Sequence, residues 1–338
     1  MTTPAAINKK SDTSDAVIDW LMDGDPAIRW QIMRDLLDAP ESVWQTERAR
    51  VESEGWGARL LAAQDADGQW AGGSFVPRDF DWSTIESAGQ PWTATTWALS
   101  QLREFGFDPT TARAQRTVQQ IATNSRWDHD SQPFWEGEVE ECINGRAVAD
   151  GAYYGVDVSP IIERLLGAQQ EDGGWNCERE NGSTRGSYPS TINVLEGLLE
   201  YEQATGGSDA TRTARAAGEA FLLQRNLFRR LSTGEPAADH LLLLIHPSRW
   251  YYDALRALDY FRAAGMLHGA LADPRLGEAI EHVHSKRQAD GRWLLDWTPR
   301  GANWFDMNDG IGQPSRWITL RARRVLRWWD AAQSDTTA

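Results

Sequence analysis

The stretch FWEGEVEECINGRAVADGAYYG gathers Glu138, Glu140, Glu141 and Asp150 around Arg146, Tyr153 and Tyr154. If it opens a helix, Glu138 and Glu141 share a face, and paired carboxylates can divide into a general acid and a general base. Acids in a first helical turn are also ordinary partners of the helix dipole, so both readings stand. In DFDWST, Asp79 sits two residues before Asp81. A neighbouring carboxylate can keep the proton on Asp81 that a proton donor needs. In HPSRWYYDAL, Asp253 follows Arg249 by four residues. It is either a carboxyl facing a cavity or half of an ion pair along one helical face. Cys142 and Cys177 offer a third chemistry: with Glu140, Glu178 or His246 they would complete a tetrahedral zinc site. No Cys-x-x-Cys or His-x-x-x-His spacing supports that, and packed cysteines are the simpler reading.

These residues need a scaffold, and the chain's periodicity names it. Apolar residues recur at three and four, and no alternating strand pattern is found, so the fold class is all-α. VIDWLMDGDPAIRWQIMRDLLD reads as two helices split by Asp23-Gly24-Asp25-Pro26, with Asp25 as cap and Pro26 at the first helical position. Helices end in glutamine at Gln64, Gln119, Gln169, Gln224 and Gln288, at steps of 50 to 64 residues. Three of these ends lead into Asp-Gly-x-Trp, at Trp70, Trp175 and Trp293. Following helices open near Pro91, Pro189, Pro247 and Pro314. The unit is helix, Gln, loop, Pro, helix. About six such pairs, with alternate helices inside, make an α/α toroid. Residues 14–332 form one domain in this reading, between disordered tails at 1–13 and 333–338. In each Asp-Gly turn the glycine takes positive φ, the Gln amide bonds the turn backbone and the Trp packs over it: a turn clamp.

Gln-x-x-Asp-Gly-x-Trp resembles the QW repeat of squalene-hopene and oxidosqualene cyclases. The single-barrel length, with repeats throughout, resembles the β subunit of protein prenyltransferases. The resemblance spans residues from about 15 to 332 and implies the toroid fold. It also implies an enzyme acting on a small, largely apolar, isoprenoid-type substrate in a central aromatic-lined cavity. The implied chemistry is acid–base or carbocation-like: cyclisation, isomerisation, hydration or elimination. The cyclases carry a protonating Asp-x-Asp-Asp motif; here Asp79 and Asp81 match its first two acids and Trp82 replaces the third. The prenyltransferases hold zinc through Asp, Cys and His. Asp150 and Gly151 fit that motif, but Ala152 stands where Cys is needed, and Pro189 and Ser190 occupy the segment that carries His. Protein prenylation is therefore not expected.

The toroid geometry turns these matches into candidate positions. Inner-helix N-termini around one mouth present unpaired N–H groups and favour an anion. Arg249 and Arg316 follow their prolines by two residues, and Arg185 lies in the loop before Pro189. They would hold a carboxylate or diphosphate, or else pair with Glu178, Glu180, Asp306 and Asp309. Deeper, Thr96, Trp97, Asn193, Glu196, Tyr252 and Asp253 face the cavity. The catalytic candidates are Asp81, Glu138, Glu140 and Asp253. The substrate-binding candidates are Trp92, Trp97, Arg146, Tyr154, Asn193, Arg249, Trp250, Tyr252, Trp304 and Arg316, whose aromatic members either attract cations or simply pack. Two other functions stay open: a non-catalytic toroid binding a hydrophobic ligand or peptide, and a zinc-dependent transferase or hydrolase using Cys142 and Cys177 with His246. No cofactor is expected, save zinc in that last reading.

Composition narrows the partners. A net charge of −15 argues against nucleic acid and anionic membrane. All the positive charge except Lys9, Lys10 and Lys286 is arginine, which suits fixed bidentate contacts to carboxylate or phosphate. Two cysteines exclude a disulfide scaffold. No signal-peptide pattern opens the chain, and no apolar run approaches the roughly 20 residues of a membrane span. The expectation is a cytoplasmic protein that takes a small-molecule substrate and requires no protein partner.

Overall fold

The computed structural model describes residues 15–336; the expected tail at 1–13 lies outside the described residues. Among the described residues helix is the regular secondary structure, with isolated β-bridges but no strand. In chain order the α-helices are α1 (Ala16–Met22), α2 (Pro26–Asp35), α3 (Glu41–Ala49), α4 (Gly55–Ala62), α5 (Ile85–Ala88), α6 (Thr95–Phe105) and α7 (Ala112–Asn124). They continue as α8 (Glu141–Tyr153), α9 (Ser159–Gly167), α10 (Tyr188–Thr205), α11 (Asp209–Leu223), α12 (Ala254–His268), α13 (Gly277–Ser285) and α14 (Arg316–Thr336). Helix α14 thus continues past residue 332, where a disordered tail was expected.

Local signals behave as their chemistry dictates. Asp25 caps α2: one carboxylate oxygen accepts the Ala27 N–H at 2.9 Å, and the other accepts the Trp56 N–H at 2.8 Å. At the repeated motifs, indole N–H groups reach back to the preceding helix. Trp70 donates to the Leu60 carbonyl at 2.8 Å, Trp175 to Leu165 at 2.7 Å and Trp293 to Val283 at 2.7 Å. Their backbone N–H groups donate to the hydroxyls of Thr95, Thr191 and Thr319, which tie the clamps to α6, α10 and α14. The Gln64 and Gln169 amides donate to the carbonyls of Gly68 and Gly173, closing turns whose glycines have φ of 92° and 87°. The third clamp differs. Gln288 donates its backbone N–H to Arg292, as Asp65 does to Gln69 and Gln170 to Gly174. Arg287 therefore stands where the other two motifs have their glutamine, and its guanidinium lies over the Trp293 ring.

Helix packing follows a closed circuit. Helix α2 packs on α6, α6 on α8, α8 on α10, α10 on α12, α12 on α14, and α14 returns to α2. Helices α1, α4, α9, α11 and α13 each pack on one or more helices of that circuit. The most extensive contact joins α8 and α10, and two glycines make it possible. A Cβ on Gly145 would lie 2.5 Å from the Asn193 carbonyl oxygen, and one on Gly197 would lie 2.3 Å from that of Gly145. The backbones touch there, which fixes Arg146 and Asn193 beside one another.

Two expected helix starts are displaced. Pro91 was read as opening α6, which begins at Thr95 after the cap residue Ala94. Pro247 was read as opening α12, but Ser248 to Tyr252 run as irregular chain, Arg249 has a φ of 50°, and the helix begins at Ala254 with Asp253 as its cap. Arg249 and Asp253 therefore do not form the expected pair along one helical face; no ion pair joins them among the described residues.

Steric contact at Gly145 makes a prediction of opposite signs. Gly145→Ala should destabilise the protein by about 1–3 kcal/mol through forced separation of α8 and α10. Gly167→Ala in α9, where a Cβ meets nothing within 4 Å, should be neutral or stabilising by up to about 1 kcal/mol. Urea denaturation of both variants checks this.

Candidate functional site

Inside the circuit lies a cavity of about 440 Å³. Nine arginines and four carboxylates line it, with Trp30, Trp44 and Trp97 as its indoles. That lining differs from the aromatic, apolar chamber implied by the family resemblance. It is a polar chamber with excess positive charge, inside a protein whose net charge is −15.

Most of the arginines are neutralised locally. Arg256 on α12 grips Glu196 on α10 through two hydrogen bonds of 2.7 and 2.6 Å. Arg103 on α6 donates to Asp150 on α8 at 2.8 Å and to Glu200 on α10 at 3.2 Å. Arg321 pairs with Glu104, while Arg324 and Arg262 share Asp259. Pairing offsets much of the several kcal/mol that burying each charge costs, whereas a buried charge without a partner bears that cost in full.

Three lining arginines touch no carboxylate, although Glu104 acts on Arg249, and Glu196 and Asp150 on Arg146, at longer range. Arg48 donates to the Tyr153 hydroxyl and the Gly106 carbonyl, each at 2.8 Å. Arg146 donates to Asn193 Oδ1 at 3.1 Å and to the Arg249 carbonyl. Arg249 donates to Asn303 Oδ1 at 2.5 Å and is only 4% exposed. The Nε–H groups of Arg146 and Arg249 are buried and have no partner. Burial, and then the like charge of Arg146, pushes Arg249 down to about 9. Burial, and then the charge of Arg256, pushes Arg146 down to about 10. The rings of Trp92 and Trp97 lie under Arg249 and Arg146 at 5.5 and 5.6 Å, a partial compensation through their π faces.

Two acids one helical turn apart on α10 respond differently. Burial raises Glu200 above its usual range. Glu196 is buried too, but the Arg256 charge and hydrogen bond hold it below that range. Asp150, on α8 behind Arg103, is raised by burial and accepts a hydrogen bond from Ser100 at 2.6 Å.

Neither a family model nor a curated protein matches this chain. Its site must be read from its own residues. No helix among the described residues is long and apolar enough to cross a membrane.

The structure brings together only part of the expected site. Trp97, Arg146, Arg249 and Glu196 line the cavity, with Asn193 bridging Arg146 and Arg256 from behind. Trp92 is buried behind Trp97, edge-on at 4.8 Å. Trp250 stacks on Tyr251 at 3.8 Å. Tyr252 is core and donates to the Leu227 carbonyl, while Tyr154 is buried against Tyr153. Trp304 is 37% exposed and donates to the Thr93 carbonyl. Arg316 lies over Trp20 near Asp23, away from the cavity, and Arg185 is exposed.

Among the acids, Asp81 is exposed and caps a short turn, where hydrogen bonds from Ser83 hold it low. That environment keeps it ionised, the opposite of what a proton donor needs. Glu138 and Glu140 sit at the α8 N-terminus, where Glu138 accepts the Glu140 N–H at 2.7 Å; neither lines the cavity. Cys142 and Cys177 do meet, with Glu140 beside them. His246 is elsewhere: it is buried against Trp317, accepts from Asn308, and burial pushes it down to about 4.

Sequence reasoning passed over Arg103, Glu104, Glu200, Arg321 and Arg324. One signal was present: Arg321 and Arg324 are three apart, so they share a face of α14, and charges on a helix packed on several sides need an interior destination.

Asp253 gives a pH test. Its Oδ1 accepts the Arg256 N–H at 2.8 Å, its Oδ2 is buried without a partner, and burial pushes it up to about 6. A carboxyl raised above its unfolded value of 3.8 costs stability once ionised. The stability it contributes is therefore full below that value and lost as pH rises through about 6. Asp253→Asn keeps the cap acceptor and removes the charge. The variant should gain on the order of 2–3 kcal/mol over wild type at pH 7.5, and the gain should vanish near pH 4. Denaturation curves across that range check it.

Proposed function

We propose that this chain is an α/α toroid whose central cavity binds a small anionic molecule through Arg146 and Arg249, with Arg48 alongside. The observation that carries this reading is the pair of buried guanidinium groups of Arg146 and Arg249, which line one cavity, touch no carboxylate and keep Nε–H donors without a partner. An uncompensated buried ion costs several kcal/mol. An anion set between the two would supply the missing charge and accept the free N–H groups. Guanidinium favours planar or multi-oxygen anions, so carboxylate, phosphate and diphosphate groups are the matching classes. The closed circuit of helix contacts supports the toroid assignment.

The acid–base part of the family expectation carries over onto different residues. Glu200 is raised and Glu196 lowered within one wall, the divergence that separates a proton donor from an ionised partner. In this reading Glu200 exchanges a proton with the bound anion's reacting carbon or oxygen. Glu196 stays charged and orients Arg256. The substrate is then an anion-bearing metabolite rather than a bare hydrocarbon, since charged side chains outnumber apolar ones around the chamber.

Calorimetric titration with inorganic phosphate, diphosphate and succinate tests the binding claim. At least one should bind saturably at one site per chain, more weakly at high salt, and should raise the melting temperature. Arg146→Met should weaken that binding by about tenfold or more without destabilising the unliganded fold. Absence of heat and of thermal shift with all three anions would contradict the reading.

A further inference from the structure

The cysteine pair lies outside the cavity and outside any role given above. Cys142 occupies the first turn of α8, and Cys177 lies in the loop that leads to α10. Their sulfur atoms are 2.7 Å apart, in direct contact, and both side chains are partly buried. The surroundings of the two sulfurs differ. Cys177 Sγ accepts the Cys142 backbone N–H at 3.3 Å and the Ser190 hydroxyl at 3.3 Å. Ser190 is itself held by the Cys177 N–H at 3.1 Å and the Ser187 hydroxyl at 2.9 Å. Donors aimed at a sulfur from a helix N-terminus stabilise a thiolate. Cys142 Sγ instead faces the Glu140 carboxylate at 3.5 Å, which disfavours its ionisation.

We infer that Cys142 and Cys177 form a reversible dithiol–disulfide site in which Cys177 attacks and Cys142 resolves. A low-molecular-weight disulfide such as oxidised glutathione is the oxidant. The Cys177 thiolate attacks one glutathione sulfur, the glutathione S–S bond breaks, and one glutathione thiolate leaves. Cys142 then gives up its proton to solvent, its thiolate attacks Cys177 Sγ in the mixed disulfide, and the second glutathione thiolate leaves. The protein loses two electrons and two protons, and two glutathiones are formed. A shared zinc ion fits less well. Two thiolates on one tetrahedral zinc sit about 3.8 Å apart. Only Glu140 joins the two sulfurs as a third ligand among the described residues.

Intact-mass spectrometry of the full chain, reduced and then incubated with oxidised glutathione, tests this. The wild type should lose about 2 Da, regain it with dithiothreitol, and yield a linked peptide pair containing Cys142 and Cys177. Cys142→Ser should instead retain a glutathione adduct of about 305 Da, because the resolving thiol is gone. Cys177→Ser should react more slowly than Cys142→Ser. Persistence of both thiols in the wild type would overturn the inference. So would about one zinc per chain by elemental analysis, lost on either substitution. Thiol titration of the wild type alone distinguishes the dithiol and disulfide forms should a variant fail to fold.

Discussion

Positive charge enclosed by helices is the constraint that organises this molecule. Guanidinium groups enter the space between the helices from α2, α6, α8, α12 and α14, and each must find compensation in a place that water reaches poorly. Asp150, Glu196, Glu200, Glu104 and Asp259 supply most of it, and they do so across helix boundaries: α6 to α8, α12 to α10, α14 to α6 and α12. Some of these pairs join helices that also pack together, α6 with α8, α10 with α12 and α12 with α14, whereas Arg321–Glu104 and Arg103–Glu200 reach across the cavity between helices that do not. They add directional contacts to a circuit whose tightest point, at Gly145 and Gly197, is set by backbone touching backbone. Where this compensation stops, at Arg146 and Arg249, the proposed ligand begins.

What the sequence made legible is local chemistry. Asp25-Pro26 at the start of α2, glycine at the Asp-Gly turns, and Trp70 and Trp175 bonded back to the preceding helix all depend on residues within about ten positions of one another. The clamps also show the limit of pattern reading. The third has Arg287 six residues before its tryptophan, where the other two have Gln64 and Gln169; counting back from the tryptophans shows the exchange, but reading Gln288 as the repeat's glutamine hid it. Pro247 misled for a related reason. A proline is compatible with a first helical turn and equally with irregular chain before it. The stronger signal, Asp253 immediately before Ala254, is a cap whose identity depends on the backbone around it.

The cavity itself was only partly legible. Trp97, Arg146, Asn193, Glu196 and Arg249 were picked out, but the charge that dominates the chamber was not. Which face of an amphipathic helix points inward is decided by its neighbours in the circuit, which lie far away along the chain: Arg324 bonds Gln31 at a separation of 293 residues and Arg103 bonds Asp150 at 47. The family resemblance implied an aromatic-lined chamber; most of the indoles instead serve clamps and packing, and Trp70, Trp127, Trp175 and Trp293 are almost wholly buried. Arginine's dominance over lysine was the better guide, because a rigid, always-charged donor suits an enclosed polar site.

The most direct test of the central claim is a crystal structure of the protein soaked with tungstate, whose anomalous scattering locates a tetrahedral oxyanion without reference to side-chain positions. The account predicts one strong site in the central cavity, within hydrogen-bonding distance of both the Arg146 and Arg249 guanidinium groups. Tungstate absent from the cavity, with both arginines turned onto carboxylates, would contradict it.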